Sequence, residues 1–222
     1  LQGGQIALLE ALEKTGKPFI VVLVNSKPLV LPPAARRAAA IIELFNPGME
    51  GGQALAEALF GLLNPSGKLT ISFPVHVGQQ PVFYSQVRGQ HGTRYADLTQ
   101  EPLFPFGHGL SYTQFACSNL RLGASSLAQG ETAHVFVDVE NVGKREGVEV
   151  VQVYVSDLVT SATWVNKALK GFGVKKTVGF SIASAGDTAK GFQKGGVLVS
   201  GSGSGDTVDA KLEPGEVVWN RE

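Results

Sequence analysis

Two short apolar runs set the terms on which this chain can fold. Residues 19–24 read Phe19-Ile20-Val21-Val22-Leu23-Val24, with no polar alternation, and residues 41–45 read Ile41-Ile42-Glu43-Leu44-Phe45. A strand with one face in water alternates apolar and polar side chains. A strand covered on both faces does not need to, which is the condition of a parallel sheet flanked by helices. The surroundings agree. Residues 4–15 carry Ile6, Leu8, Leu9 and Leu12 on one helical face and stop at Thr15-Gly16-Lys17-Pro18, a glycine followed by a proline. Ala34 to Ala40 is a short helical candidate, and Gln53 to Leu62 is a second full helix entered through Pro47-Gly48-Met49-Glu50-Gly51-Gly52. Asn64-Pro65-Ser66-Gly67 is a turn, and Lys68 to Phe73 reads as a further strand. The order helix–strand–helix–strand–helix–strand predicts an α/β layer. Two or three strands are few for such a layer, so the first half of its sheet is expected to lie upstream. The chain starts at Leu1 and not at Met, which is expected of a trimmed or processed product.

Beyond residue 73 the character changes twice. Residues 74–115 hold prolines at 74, 81, 102 and 105 among several glycines, the composition of an irregular connecting segment. Residues 116–222 read as all-β. Between Thr132 and Glu140, Val135, Val137 and Val139 alternate with His134, Phe136 and Asp138. Asn141-Val142-Gly143 and Arg145-Glu146-Gly147 mark a turn, and Val151, Val153 and Val155 alternate again in the next run. Short strands at this spacing predict a β-sandwich. The stretch Ser200 to Gly205 alternates serine and glycine, a low-complexity segment.

Composition narrows the function classes. Lys plus Arg number 19 and Asp plus Glu number 19. A balanced chain lacks the basic excess of a nucleic-acid binder and gives no electrostatic hold on a membrane. The longest apolar runs are too short to span a bilayer. Cys117 is the single cysteine, so neither an intrachain disulfide nor a cysteine metal site can form. No cofactor or metal is expected. His76 and His134 have no metal-ligand spacing to other ligands, and Ser200 to Gly205 lacks the Gly-Lys-Ser/Thr ending of a phosphate loop. The compartment is left open.

A series of motifs now becomes specific. Thr15-Gly16-Lys17-Pro18 with Val21-Val22-Leu23-Val24-Asn25-Ser26-Lys27-Pro28 resembles the "TGKPVVVVLLNGRP" pattern of family 3 glycoside hydrolases. Asn46-Pro47-Gly48-Met49-Glu50-Gly51-Gly52 resembles its "PGxEGG", and Leu59 to Leu69 with Ser72-Phe73-Pro74 resembles "LFGxxNPSGKL" and its continuation. Phe104-Pro105-Phe106-Gly107-His108-Gly109-Leu110-Ser111-Tyr112-Thr113 resembles "YPFGYGLSYT". Val139 to Gly143, Glu149 to Val155 and Lys167 to Phe172 resemble the family's fibronectin type III-like domain. The matches keep the family's order over residues 4–172. Ser26 and Lys27 depart from the family's Gly and Arg, and after Phe172 the pattern largely dissolves.

The resemblance implies a partial α/β sandwich (its second half) over residues 1–73, the connector over 74–115, and a fibronectin type III-like β-sandwich over 116–222. It also implies retaining hydrolysis of β-glycosides. That chemistry uses two carboxylates about 5 Å apart, one as nucleophile and one as general acid/base. In the family the nucleophile is an Asp of an upstream barrel, and the usual acid/base Glu aligns before Leu1, so neither role transfers to a residue here. The implied partner is a β-linked oligosaccharide or glycoside bound by the intact enzyme.

Several residues remain as candidates. His91, Arg94, Tyr95 and Asp97 cluster in the irregular segment, where loops of family members approach the sugar cleft; a solvated connector is the plainer alternative. Glu50 opens a helix in a glycine-rich turn and is read as structural, a carboxylate held by first-turn amides and the helix dipole. His108 and Ser111 stand close together in sequence and raise a serine-esterase alternative. The nucleophile-elbow pattern is not met, because Gly109-Leu110-Ser111-Tyr112 ends in Thr113. Trp164 or Trp219 could stack on a sugar, which keeps a non-catalytic carbohydrate-binding module as a third alternative. An incomplete sheet leaves an open apolar edge, so dimerisation through residues 19–45, or association with missing upstream domains, is expected.

Overall fold

The computed structural model describes residues 3–87, 98–126, 133–156, 165–176, 180–181 and 217–218. They fall into two units. One holds described residues 3–63, 69–83 and 98–108, and the other holds 64–68, 84–87 and those from 109 onward.

The first unit is α/β. Helix α1 (Gln5–Lys14) precedes strand β1 (Ile20–Leu23), a single turn α2 (Pro33–Arg36), strand β2 (Ala40–Glu43) and helix α3 (Gly51–Leu59). Strands β1 and β2 pair in parallel, with Ile20 opposite Ala40 and Leu23 opposite Glu43. Pro33 sits in the first turn of α2, where its missing N–H costs nothing. The core of the unit is Val21, Leu23, Leu31, Ala35 and Phe73, with Leu9, Ile41, Phe45 and Phe104 packed around it. Cover is uneven. Val21 and Leu23 are buried, but Ile20 is exposed, and α1 buries no residue fully, so Ile6, Leu8 and Leu12 stay in contact with solvent. The expectation of strands covered on both faces is met fully on the Val21 and Leu23 face of β1 and in part on the other, where Val22 is half-buried.

The strand expected over Lys68 to Phe73 is replaced by an interrupted pairing. Leu69 bonds to residues 107 and 108 (Leu69 N to His108 O, 2.8 Å; Gly107 N to Leu69 O, 2.7 Å), and Phe73 exchanges bonds with Phe104 and Leu103. The two ends are in one antiparallel register, yet only Phe73 and Phe104 form a bridge. The reason lies on the partner side. Hydrogen-bonded pairs alternate along an antiparallel ladder, so the next one after Phe73 and Phe104 would join Ile71 to Phe106, and the amide of Phe106 is diverted to the Ser72 hydroxyl at 3.0 Å.

The second unit is all-β among its described residues. Strands β3 (Phe115–Leu122), β4 (Val135–Asn141), β5 (Val148–Val155), β6 (Ala168–Lys176), β7 (Phe180–Ser181) and β8 (Val217–Val218) form two three-stranded antiparallel sheets. Their orders are β3-β4-β7 and β6-β5-β8. The valines expected to point inward do so. Val135, Val137 and Val139 of one sheet, with Ala133 just before it, and Val151, Val153 and Val155 of the other make one buried cluster. A bulge between Ser118 and Arg121 shifts the β3–β4 register. It is built on Asn119 at φ 53°, a left-handed conformation that asparagine tolerates better than most residues. The Asn119 amide donates to Asp138 at 2.8 Å. The turn after β4 is closed by Asn141, which accepts from Gly143 N (3.1 Å) and donates to Arg145 O (2.7 Å).

Tyr154 on β5 is also buried, on the face away from the valines. Tyr84 meets its ring edge-on at 5.8 Å between centroids. The Tyr84 hydroxyl accepts from Leu169 N of β6, and Val87 bridges to Val165, so residues 84–87 lie on this sheet.

Two measurements check this packing. Val137 is 2% exposed and Val142 is 53% exposed. Val137→Ala is expected to cost about 2–3 kcal/mol in denaturant unfolding, from lost burial plus the cavity left behind, and Val142→Ala less than about 0.5 kcal/mol. Equal costs would contradict the assigned core. Burial, and then the neighbouring Tyr84, push the Tyr154 phenol up to about 12. An unfolded tyrosine titrates near 10, so the folded state holds this proton more tightly. The resulting stability is complete below about pH 10 and is lost as pH rises through the raised value. Tyr154→Phe cannot ionise and is expected to flatten the alkaline loss of stability. An unchanged alkaline limb would contradict it.

Candidate functional site

In open α/β sheets, ligands bind at the carboxyl ends of the strands. At that edge of β1 and β2 the chain places a polar cluster. The Glu43 carboxylate accepts from Asn25 Nδ2 (3.0 and 3.3 Å to its two oxygens) and from Phe45 N at 2.7 Å. Asn25 in turn accepts from Lys27 N at 3.2 Å. Phe45 is at φ 51°, an outlier for a bulky side chain, and the carboxylate bond to its amide fixes that conformation. With both oxygens engaged, Glu43 acts as a brace for the two edge loops and not as a free base. Sequence reading passed over it because a lone acid inside an apolar run carries no motif of its own.

A second cluster fixes the ends of the irregular segment. Gln79 is 5% exposed. Its Oε1 accepts from Val75 N at 2.5 Å, and its Nε2 donates to Thr99 O (2.8 Å) and Glu101 O (3.1 Å). Arg36 donates to Val75 O (2.6 Å) and to Leu31 O (2.8 Å). A buried amide must fill its bonds, and this one does so by clamping residues before and after the stretch that carries His91, Arg94, Tyr95 and Asp97. Those four candidates lie outside the described residues, as do Trp164, Trp219 and Ser200 to Gly205.

The remaining candidates are described. Glu50 occupies the N-cap position of α3 and is exposed, but its carboxylate makes no capping hydrogen bond. Its backbone is already helical (φ −84°, ψ 0°), whereas a capping side chain needs an extended N-cap residue to reach back. The contribution seen is the carbonyl, which accepts from Ala54 N at 3.0 Å. His108 lies in the α/β unit, its ring stacked on Phe104 with centroids 5.1 Å apart. Ser111 lies in the β unit, and its hydroxyl donates to Asn64 Oδ1 at 2.9 Å. An amide oxygen does not take a proton from serine, so this bond does not activate a nucleophile. Among the described residues no group of three His, Cys, Asp or Glu side chains could hold a metal. No described helix is long and apolar enough to cross a membrane.

Comparison with known proteins gives these arrangements a context. Residues 1–112 match the family model of the glycosyl hydrolase family 3 C-terminal domain. The chain is 43% identical over 192 residues to a periplasmic beta-glucosidase of Salmonella typhimurium, an alignment covering 79% of this chain and 25% of that protein. It is 45% identical over 196 residues to a beta-xylosidase of Formosa agariphila, covering 82% of this chain and 27% of that one. Among solved structures it is similar to a beta-glucosidase involved in saponin metabolism from intestinal bacteria, with TM-score 0.75, 45% identity, and 83% of this chain and 28% of that one covered. It is also similar to the Listeria innocua beta-glucosidase in complex with glucose, with TM-score 0.73, 35% identity, and 82% and 28% covered. The chain spans about a quarter of the length of the curated relatives it matches.

Proposed function

Because this chain belongs to glycosyl hydrolase family 3, in its C-terminal region, we propose that it is the C-terminal portion of a retaining β-glycosidase of β-glucosidase type. In this reading the α/β unit is the second half of the family's α/β sandwich. The two antiparallel sheets around the valine cluster form its fibronectin type III-like domain. Their role is to close one wall of the sugar cleft and to buttress the barrel of the intact enzyme. The observation that carries the reading is the unequal coverage of the alignments. Most of this chain aligns with a periplasmic beta-glucosidase, yet it accounts for 25% of that protein.

The chemistry fits a supporting role. Retaining hydrolysis needs a nucleophilic carboxylate and a second carboxyl about 5 Å away. Glu43 is committed to Asn25 and Phe45, and Glu50 is an exposed helix-entry residue. Neither is set against a second acid by any contact described above. The substrate of the intact enzyme is a β-linked oligosaccharide or glycoside. The half-covered sheet gives the chain a reason to associate. Ile20, with Ile6, Leu8 and Leu12 of α1, is apolar and exposed, and residues 19–45 are the surface proposed to meet upstream domains or a second copy.

The test is hydrolysis of p-nitrophenyl β-glucoside and p-nitrophenyl acetate by the highly purified chain, with intact mass recorded on the same sample. Neither substrate is expected to turn over. Turnover of the glucoside at the mass of this chain alone would overturn the reading, and turnover of the acetate alone would point to a serine hydrolase instead.

A further inference from the structure

Residues 64–68 follow α3 in sequence and precede Leu69, and both neighbours belong to the α/β unit. The segment itself is built into the β unit. Asn64 is a hub: its Nδ2 donates to Glu146 O at 2.9 Å, and its Oδ1 accepts from the Ser111 hydroxyl (2.9 Å) and from Tyr112 N (2.8 Å). Lys68 Nζ donates to Gly109 O at 2.9 Å and pairs with Glu149 of β5 at 2.9 Å. Both charged side chains are largely buried, at 16% and 18% exposure. The fit leaves no slack. A Cβ on Gly109 would stand 2.2 Å from Gly67 O, and one on Gly147 would stand 2.7 Å from Asn64 Nδ2. Glycine is therefore required at Gly109, which faces backbone, and at Gly147 a side chain would displace the Asn64 amide from its bonds.

We infer that residues 64–68 are a docking hook for which the β unit carries a matching seat, so that the β unit is not a self-sufficient module. The seat is lined by Ser111, Tyr112, Glu146, Gly147 and Glu149. Its occupant is a short segment of Asn-Pro-Ser-Gly-Lys character supplied from upstream of the irregular stretch. The chemistry favours a specific occupant. The amide is read through both its donor and its acceptor. A partly buried lysine without its carboxylate, or the reverse, would leave an uncompensated charge.

Hydrogen exchange on the full chain tests this, read amide by amide. Asn64→Leu is expected to speed exchange at Tyr112 and along β4 and β5 by roughly tenfold to a hundredfold, from several hydrogen bonds lost together. The β1–β2 amides should keep their rates. Faster exchange in β1–β2 with β4–β5 unchanged, or no change anywhere, would overturn the inference. Should Asn64→Leu not fold, the charge exchange decides. Lys68→Glu and Glu149→Lys should each speed exchange in β5, and the double variant should recover most of the protection. A double variant no better protected than either single one would overturn it.

Discussion

A parallel strand pair has apolar side chains on both faces and must cover both to satisfy them. In this chain β1 has one face fully covered and the other in part. Val21 and Leu23 turn inward onto Leu31, Ala35 and Phe73, while Ile20 is left in contact with solvent. Helix α1 reaches the core through Leu9 and shows Leu8 to water at 60% exposure. The architecture of the α/β unit follows from that partial cover. Two strands give few backbone bonds, so side chains supply many of the ties. Arg36, Gln79 and Glu43 each fasten backbone groups that lie outside the strand pair.

The β unit solves its problem differently. Its two sheets share one valine core, and β-branched residues facing one another on strands pack densely. The cost falls at the margins, where turns and strand ends must be closed by specific groups. Asn141 and Asn64 do this with both donor and acceptor of one side chain, holding a backbone turn and a docked segment, and Asn119 does it at the bulge by donating to Asp138. Tyr154 closes the outer face of β5 by a different route, with its ring packed on Tyr84 and under Lys167, and its hydroxyl donating to Gln152 at 2.8 Å.

Local patterns in the sequence were legible where structure is made locally. The alternation around Val135, Val137 and Val139 identified the inner face of β4, and the apolar run at residues 19–24 identified β1. The glycine and proline after residue 15 marked the end of α1. Pairings between distant residues left no such trace. Nothing near Lys68 announces Glu149, and nothing near Leu69 announces that Gly107 and His108 are its partners. The reading of Lys68 to Phe73 as a strand failed for this reason: the ladder breaks where the Phe106 amide, on the other side, turns to the Ser72 hydroxyl. Of the candidate site, Glu50, read as held by first-turn amides and the helix dipole, stands at the entry of α3 with no side-chain capping bond. Glu43 and Gln79 escaped notice because a single polar residue becomes a brace only through what the fold brings to it. The family pattern reached further than periodicity did, since ordered motifs pointed to the family whose C-terminal domain model matches residues 1–112.

The claim on which the account depends is that this chain supports glycoside hydrolysis without performing it. A retaining glycosidase forms a covalent glycosyl-enzyme through its nucleophilic carboxylate. A 2-deoxy-2-fluoro-β-glucoside with an activated leaving group traps that adduct. Incubated with the purified chain and followed by intact mass, it should leave the mass unchanged. A stoichiometric gain of one fluoroglucosyl group, mapped to an Asp or Glu of this chain, would contradict the account and locate the nucleophile.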